Sequence, residues 1–123
     1  MTMQRSIASA LQGLAVSASD GSVTVQFQFP PDDPTFAGHF PGKPMVPGVF
    51  QLEMARYAAQ STFGRHLVLR EVEKAKFLRP LLPEQRILLA LHCRENGDFV
   101  DVRAEFRVNE ARAGEMLLRF SNP

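Results

Sequence analysis

The residues of this chain that could do chemistry together fall in one short span: His39, Gly48 and Glu53. His39 lies in Phe36-Ala37-Gly38-His39-Phe40-Pro41-Gly42-Lys43-Pro44-Met45-Val46-Pro47-Gly48-Val49, with proline and glycine close to it on the chain. Such a backbone has few alternative states, which is what holding a proton-transfer base in place requires. Pro47 has no N–H, so the first free donor of a helix starting there is Gly48, whose missing side chain lets a ligand oxygen come close. An amide at the positive end of a helix suits a carbonyl oxygen that gains negative charge during reaction. Glu53 follows five residues on, about 7.5 Å along a helix axis. Within a mostly apolar helix, desolvation is expected to favour its neutral form and keep it available as an acid. A base, an oxyanion-stabilising donor and an acid are the parts needed to take a proton from beside a thioester carbonyl and expel a hydroxyl group. From these residues alone the matter stays open, because a loop histidine and a helix carboxylate are each often structural.

The elements that must position them are legible in the patterning. Val23, Val25, Phe27 and Phe29 alternate with Thr24, Gln26 and Gln28, which predicts a half-buried strand over 22–29. Its partner is expected over 11–19, with Ser19-Asp20-Gly21 as the turn. Six of the nine prolines then fall in Pro30 to Gly48, which excludes regular helix or central strand there and predicts a stiff loop. From Val49 to Phe63 apolar residues cover most of a helical circumference, between Pro47 at the start and Gly64 at the end, so a buried helix is expected. Four strands follow, at about 67–77, 86–94, 99–108 and 113–120, with turns at Pro80-Pro83, Asn96-Gly97 and Asn109-Glu110. The clearest alternation sets Val100, Val102, Ala104, Phe106 and Val108 against Asp101, Arg103, Glu105 and Arg107. Two strands, one helix and four strands imply an α+β fold in which an antiparallel sheet wraps around a long central helix.

Gly38-His39-Phe40-Pro41-Gly42-Lys43-Pro44-Met45-Val46-Pro47-Gly48-Val49, with Glu53 fourteen residues after His39, resembles the signature of FabA/FabZ-type 3-hydroxyacyl-[acyl carrier protein] dehydratases. Ala75-Lys76-Phe77-Leu78-Arg79-Pro80-Leu81-Leu82-Pro83 resembles the strand-and-turn motif those enzymes carry after the helix. The two motifs lie within residues 38–83, in the family's order, and the element order agrees with its hotdog fold. The resemblance implies that His39 exchanges the proton at C2, Glu53 protonates the leaving C3 hydroxyl, and the Gly48 amide polarises the thioester carbonyl. It also implies a homodimer whose active sites each combine the histidine of one subunit with the acidic residue of the other. Glu53, where some members have aspartate, places the FabZ-like branch nearer. The chain departs from that pattern in reading Glu53-Met54-Ala55-Arg56-Tyr57 for Glu-Ala-Met-Ala-Gln, and Glu84-Gln85 for Gly-Asp. Val49-Phe50-Gln51-Leu52-Glu53 is similar to ApeI-type dehydratases of aryl-polyene pathways, which implies a polyene or polyketide-like substrate beside the fatty-acid one.

Other residues have plainer readings. Phe40, Pro47, Val49 and Tyr57 are the candidates for substrate contact, although the helix aromatics Phe50, Tyr57 and Phe63 read as core first. Arg70, Lys74 and Lys76 fall on one side of a strand and Arg79 follows, a pattern that suits either a basic rim for an acidic carrier protein or a solvated strand face. His66 and His92 have no partners at ligand spacing, so neither a metal nor another cofactor is expected. Cys93 shares its face with Ile87, Leu89 and Leu91 and is expected as a buried, inert thiol; as the single cysteine it offers no internal disulfide.

At 123 residues with 45% hydrophobic content, one globular domain over residues 1–123 is expected. Fourteen basic against thirteen acidic residues leave a formal charge of +1, with no net field to hold nucleic acid or an anionic membrane. Residues 5–18 loosely imitate a signal peptide, but Ser6, Ser9, Gln12 and Gly13 interrupt the apolar run. No stretch approaches the roughly 18 apolar residues of a membrane helix, so a cytoplasmic location is the default expectation. Two other functions compete with dehydration. A hotdog thioesterase would use a carboxylate to direct water at the thioester, and a non-catalytic acyl-carrier-binding hotdog subunit would need neither His39 nor Glu53.

Overall fold

A computed structural model describes residues 2–17, 22–33 and 45–123. Helix α1 (Met3–Ala10) leads into strand β1 (Leu11–Ser17), then β2 (Ser22–Phe27), the long helix α2 (Gly48–Phe63), and strands β3 (Val68–Phe77), β4 (Ile87–Asn96), β5 (Phe99–Val108) and β6 (Ala111–Ser121). The strands form one six-stranded sheet in the order β1-β2-β4-β5-β6-β3, antiparallel at every pairing. One face of this sheet packs on α2, which is the expected hotdog arrangement.

Alternation drives the packing. Val23, Val25 and Phe27 from β2, Ile87, Leu89 and Leu91 from β4, Val100, Val102, Ala104 and Phe106 from β5, and Met116, Leu118 and Phe120 from β6 are all buried on the helix side. From α2, Phe50, Met54, Ala55, Ala58 and Ala59 meet them. Burying each large apolar side chain contributes roughly 1.5–3 kcal/mol, enough to fix which face of every strand turns inward. Phe29 and Phe50 add an edge-to-face contact, ring centroids 6.3 Å apart at 62°.

Several boundaries differ from expectation. Residues 3–10, read from sequence as an interrupted apolar run, form α1; Thr2 caps it by accepting from the Arg5 amide at 3.2 Å, and Ile7 and Ala10 enter the core against α2. Strand β2 stops at Phe27 because Gln28 instead donates its amide to the Ala10 carbonyl at 2.8 Å, although Phe29 is still buried as the alternation required. The turn expected at residues 19–21 lies outside the described residues. Strand β6 begins two residues early because Asn109 and Glu110 both take positive φ, 51° and 66°, a two-residue primed turn that lets Val108 pair with Ala111. In the β4–β5 hairpin the central residues are Gly97 and Asp98 rather than Asn96 and Gly97, with Gly97 at φ 62° and Asn96 paired to Phe99.

Helix α2 runs from Gly48 to Phe63 and stops at Gly64, whose left-handed φ of 65° costs a glycine little. It is buried on one side only: Val49 is 55% exposed, and Leu52, Glu53, Arg56 and Tyr57 are partly exposed. Strand β3 closes one end of the sheet and is largely exposed. Register shifts between Leu69 and Glu71 and between Val72 and Lys74 interrupt its alternation, so a simple period of two does not run the length of the strand.

Candidate active site

At the start of α2 the backbone is set by Pro47, at φ −63° and ψ 156°, with no side chain capping the helix. The amides of Phe50 and Gln51 both reach the Pro47 carbonyl, at 3.0 and 3.2 Å, which leaves Gly48 and Val49 as the helix amides without an intrahelical acceptor. Just before the helix, the Val46 amide donates to the Leu81 carbonyl at 2.7 Å, while the Leu78 and Arg79 amides both donate to the Ala113 carbonyl on β6. These bonds frame a cavity of about 430 Å³ lined by Val46, Pro47, Gly48, Gln51, Phe77 and Arg79, among others. Its walls are mainly apolar, and the open helix end supplies amide N–H groups and a positive partial charge.

Two side chains in this cavity escaped the sequence reading. Gln51 is buried; its amide nitrogen donates to the Val46 carbonyl at 3.5 Å, and its Oε1 has no hydrogen-bond partner. Phe77, quoted only as part of a motif, lays its ring beside Gly48: a Cβ on Gly48 would stand 3.1 Å from Phe77 Cζ. The side that a Gly48 side chain would occupy is thus bordered by an aromatic edge that is itself 54% exposed. No periodicity could have placed that ring, since it arrives from the far end of β3.

Of the predicted residues, Pro47, Gly48 and Arg79 meet at the cavity. His39 and Phe40 lie outside the described residues. Val49 is exposed at the helix start, and Tyr57 is a partly buried residue packed at the edge of the core, as its core reading had it. Glu53 is not among the residues lining the cavity. Two residues after Gln51, it projects from the opposite side of α2, as 100° per residue demands. Nor does an apolar surround enclose it. Arg56 Nε donates to Glu53 Oε1 at 3.0 Å and to Oε2 at 2.9 Å, Nη2 also reaches Oε1, and the pair is only partly exposed. The hydrogen bond from its own guanidinium to Glu53 holds the Arg56 pKa above its ordinary value, against the lowering effect of burial. The expectation of a desolvated, unpartnered acid is therefore corrected: a cation one helical turn away supplies what the apolar neighbours cannot. The spacing of Glu53 and Arg56 was the available signal.

The basic residues of β3 are unequal. Arg70 donates to the Ser121 hydroxyl at 2.6 Å, and Lys74 pairs with Glu115 at 2.5 Å, which Arg112 also reaches at 2.9 Å. Lys76 and Arg79 are exposed, and Arg79 alone of the four adjoins the cavity. His66 is exposed, and His92 is exposed with Nδ1 3.2 Å from the Ser22 hydroxyl. Among the described residues no group of three His, Cys, Asp or Glu side chains could hold a metal ion.

Comparison with known proteins agrees with this architecture. The FabZ 3-hydroxyacyl-[acyl-carrier-protein] dehydratase of Chlamydia trachomatis serovar L2 is 32% identical over 111 residues, covering 83% of this chain and 64% of that protein. The FabZ of Agrobacterium fabrum is 30% identical over 100 residues, covering 71% of this chain and 65% of its own length. The chain thus spans a little under two thirds of these relatives. Among solved structures, the dehydratase heterocomplex ApeI:P from Xenorhabdus doucetiae superposes with a TM-score of 0.76 at 22% identity, over 91% of this chain and 96% of that one, which establishes the shared hotdog fold. The model of the ApeI-like family, described as ApeI dehydratase, matches residues 15–116, a span that contains the cavity, α2 and both motifs. The chain belongs to the ApeI-like dehydratase family.

Proposed function

We propose that this protein removes water from a 3-hydroxyacyl chain held as a thioester on acyl carrier protein, giving the trans-2-enoyl thioester for fatty-acid or polyene-type synthesis. The observation that carries this reading is the uncapped start of α2 at Gly48, opening into a mainly apolar cavity within the span matched by the dehydratase family. The Gly48 N–H would donate to the thioester oxygen as charge builds on it. His39 would take the C2 proton; the C–H electrons form the C2–C3 double bond, the C3–O bond breaks, and Glu53 delivers the proton with which the hydroxyl leaves as water. The thioester bond is untouched, which separates this reaction from hydrolysis.

Glu53 faces away from the cavity of its own chain, and this supports a homodimer in which each cavity receives the Glu53 of the partner. Strand β3 supports it too: at the sheet edge, Val72 and Phe77 are 43% and 54% exposed, the kind of free apolar edge a second copy would cover. Carrier protein, acidic by this reading, would meet Arg79 and Lys76 at the mouth, with Arg70 and Lys74 already engaged by their own neighbours. No described helix is long and apolar enough to cross a membrane.

The test is intact-protein mass spectrometry of a short 3-hydroxyacyl carrier protein incubated with the enzyme, beside His39→Ala and Glu53→Gln. Loss of one water in the wild type and in neither variant is the expected result. Release of free carrier protein would establish a thioesterase instead, and no change across chain lengths and carriers would establish a binding subunit.

A further inference from the structure

Arg56 is held at both ends. Its Nε and Nη2 grip the Glu53 carboxylate, while Nη1 donates to Gln60 Oε1 at 2.5 Å and to the Leu67 carbonyl at 3.2 Å. Gln60 Oε1 in turn accepts the Leu67 amide at 3.0 Å, so the end of α2 and the start of the next segment form a bracket around the guanidinium. Among the described residues every recorded hydrogen bond of Glu53 comes from Arg56. An ordinary surface pair three residues apart is weak and leaves both side chains free to swing. Here the relative exposures are 18% for Arg56 and 15% for Glu53, and the planar fork has acceptors on two sides. The position is also one where the chain departs from the Glu-Ala-Met-Ala-Gln pattern, placing a cation where that pattern has alanine.

We propose that Arg56 is the positioning residue for Glu53: bracketed by Gln60 and Leu67, it fixes the direction in which the carboxylate leaves the outer face of α2 and therefore where it meets the substrate. The role rests on the dehydratase reading, in which Glu53 moves a proton at C3. Arg56 itself touches neither substrate nor reacting atom. Its contribution is a fixed rotamer, and a flexible side chain with the same charge cannot replace it, since an ammonium offers no planar fork to hold two carboxylate oxygens while bonding Gln60 and Leu67.

The experiment compares steady-state dehydration by the wild type, Arg56→Ala and Arg56→Lys, with circular dichroism to establish that each is folded. Arg56→Ala is expected to lose about tenfold or more in kcat, a share of the roughly 10²–10⁴ that a positioned acid or base contributes. KM should stay within about threefold, because the interaction is used in the transition state and not in binding. Arg56→Lys should remain well below wild type, and guanidinium ion at sub-denaturing concentration should restore part of the Arg56→Ala activity where methylammonium does not. Wild-type kcat in folded Arg56→Ala, a loss through KM alone, or full activity in Arg56→Lys would overturn the proposal while leaving the dehydratase reading intact. A wild-type enzyme that removes no water overturns both. If Arg56→Ala does not fold, Arg56→Lys decides the matter by the same kcat criterion.

Discussion

A titratable side chain takes its chemistry from its neighbours, and in this molecule three neighbours do most of the sorting. Arg56 turns Glu53 from a carboxyl in an apolar helix into one half of a braced ion pair. Glu115 takes Lys74 out of the basic rim. Burial does the opposite for Cys93: with no cation to stabilise a thiolate, desolvation pushes its pKa up from the usual value to about 11. At pH 8 only ~0.1% of the thiol is then ionised, by the tenfold change per pH unit that a single titration follows. Iodoacetamide should accordingly modify native Cys93 far more slowly than the same cysteine in the urea-unfolded chain, and the gap should narrow as pH rises towards the raised value. Comparable rates in both states at pH 8 would mean that the thiol is open to solvent. The inert thiol and the Gly48 helix start were legible in the sequence because alternation and proline placement report backbone position directly. The Arg56 bracket was not, because its other acceptors, Gln60 and the Leu67 carbonyl, meet only after α2 has ended and the chain has turned.

At the scale of elements, strands β4 to β6 and helix α2 were legible almost to their ends, since one covered sheet face imposes a period of two and a helix between Pro47 and Gly64 has its stops written in. Helix α1 was hidden because its eight residues bury only Ser6, Ile7 and Ala10, too few to stand out from an interrupted apolar run. Strand β3 falls within a residue of its expected bounds, although two register shifts interrupt its period. That strand is secured by its fit to β6, and one position tests the fit. A Cβ on Gly114 would stand 2.9 Å from the Lys76 carbonyl oxygen, a backbone atom that cannot swing aside as the end of a side chain could. Gly114→Ala is expected to cost about 1–3 kcal/mol, the usual range for overpacking, read as a lowered urea midpoint with unchanged slope. An unchanged midpoint would mean that the β3–β6 seam relaxes freely. Strand β6, paired to β5 on one side and β3 on the other, should be the part most sensitive to acid. Hydrogen bonds from Arg119 hold Asp101 below the usual carboxylate range, and Lys74, then Arg112, do the same for Glu115, with burial opposing both. Folded values depressed below unfolded ones give stability that is present above about pH 4 and is lost as pH falls through the depressed values. The groups are partly exposed, so the effect should be modest and weakened by salt. Amide exchange in β3 and β6 should rise between pH 4 and pH 2 beyond the intrinsic change, roughly the window where such carboxylates protonate. Asp101→Asn together with Glu115→Gln should flatten that rise; an identical rise in the double variant would place the acid-sensitive groups elsewhere.

For the whole molecule the decisive feature is that α2 presents its chemistry on two sides. Gly48 and Gln51 open to the cavity, while Glu53 and Arg56 stand on the face turned from it, beside the exposed Val49. On the proposed mechanism a single chain so arranged would hold the two ends of the reaction apart, and a two-fold pairing that covers β3 would bring the Glu53 of one copy to the cavity of the other. This arrangement makes a prediction that a self-contained active site does not. His39→Ala and Glu53→Gln should each form inactive dimers. When the two are co-expressed, or mixed and allowed to exchange subunits, half of the dimers carry one variant of each kind. In every such mixed dimer one site receives an intact histidine and an intact glutamate, and the other receives neither. Equal mixing should therefore restore about a quarter of wild-type activity, as the statistics of an isologous dimer require. The restoration should follow subunit exchange in time and saturate at that fraction. If both residues of each site came from one chain, every mixture would stay as inactive as its parts, and the opposite-facing Glu53 would then need a movement of α2 to reach the substrate.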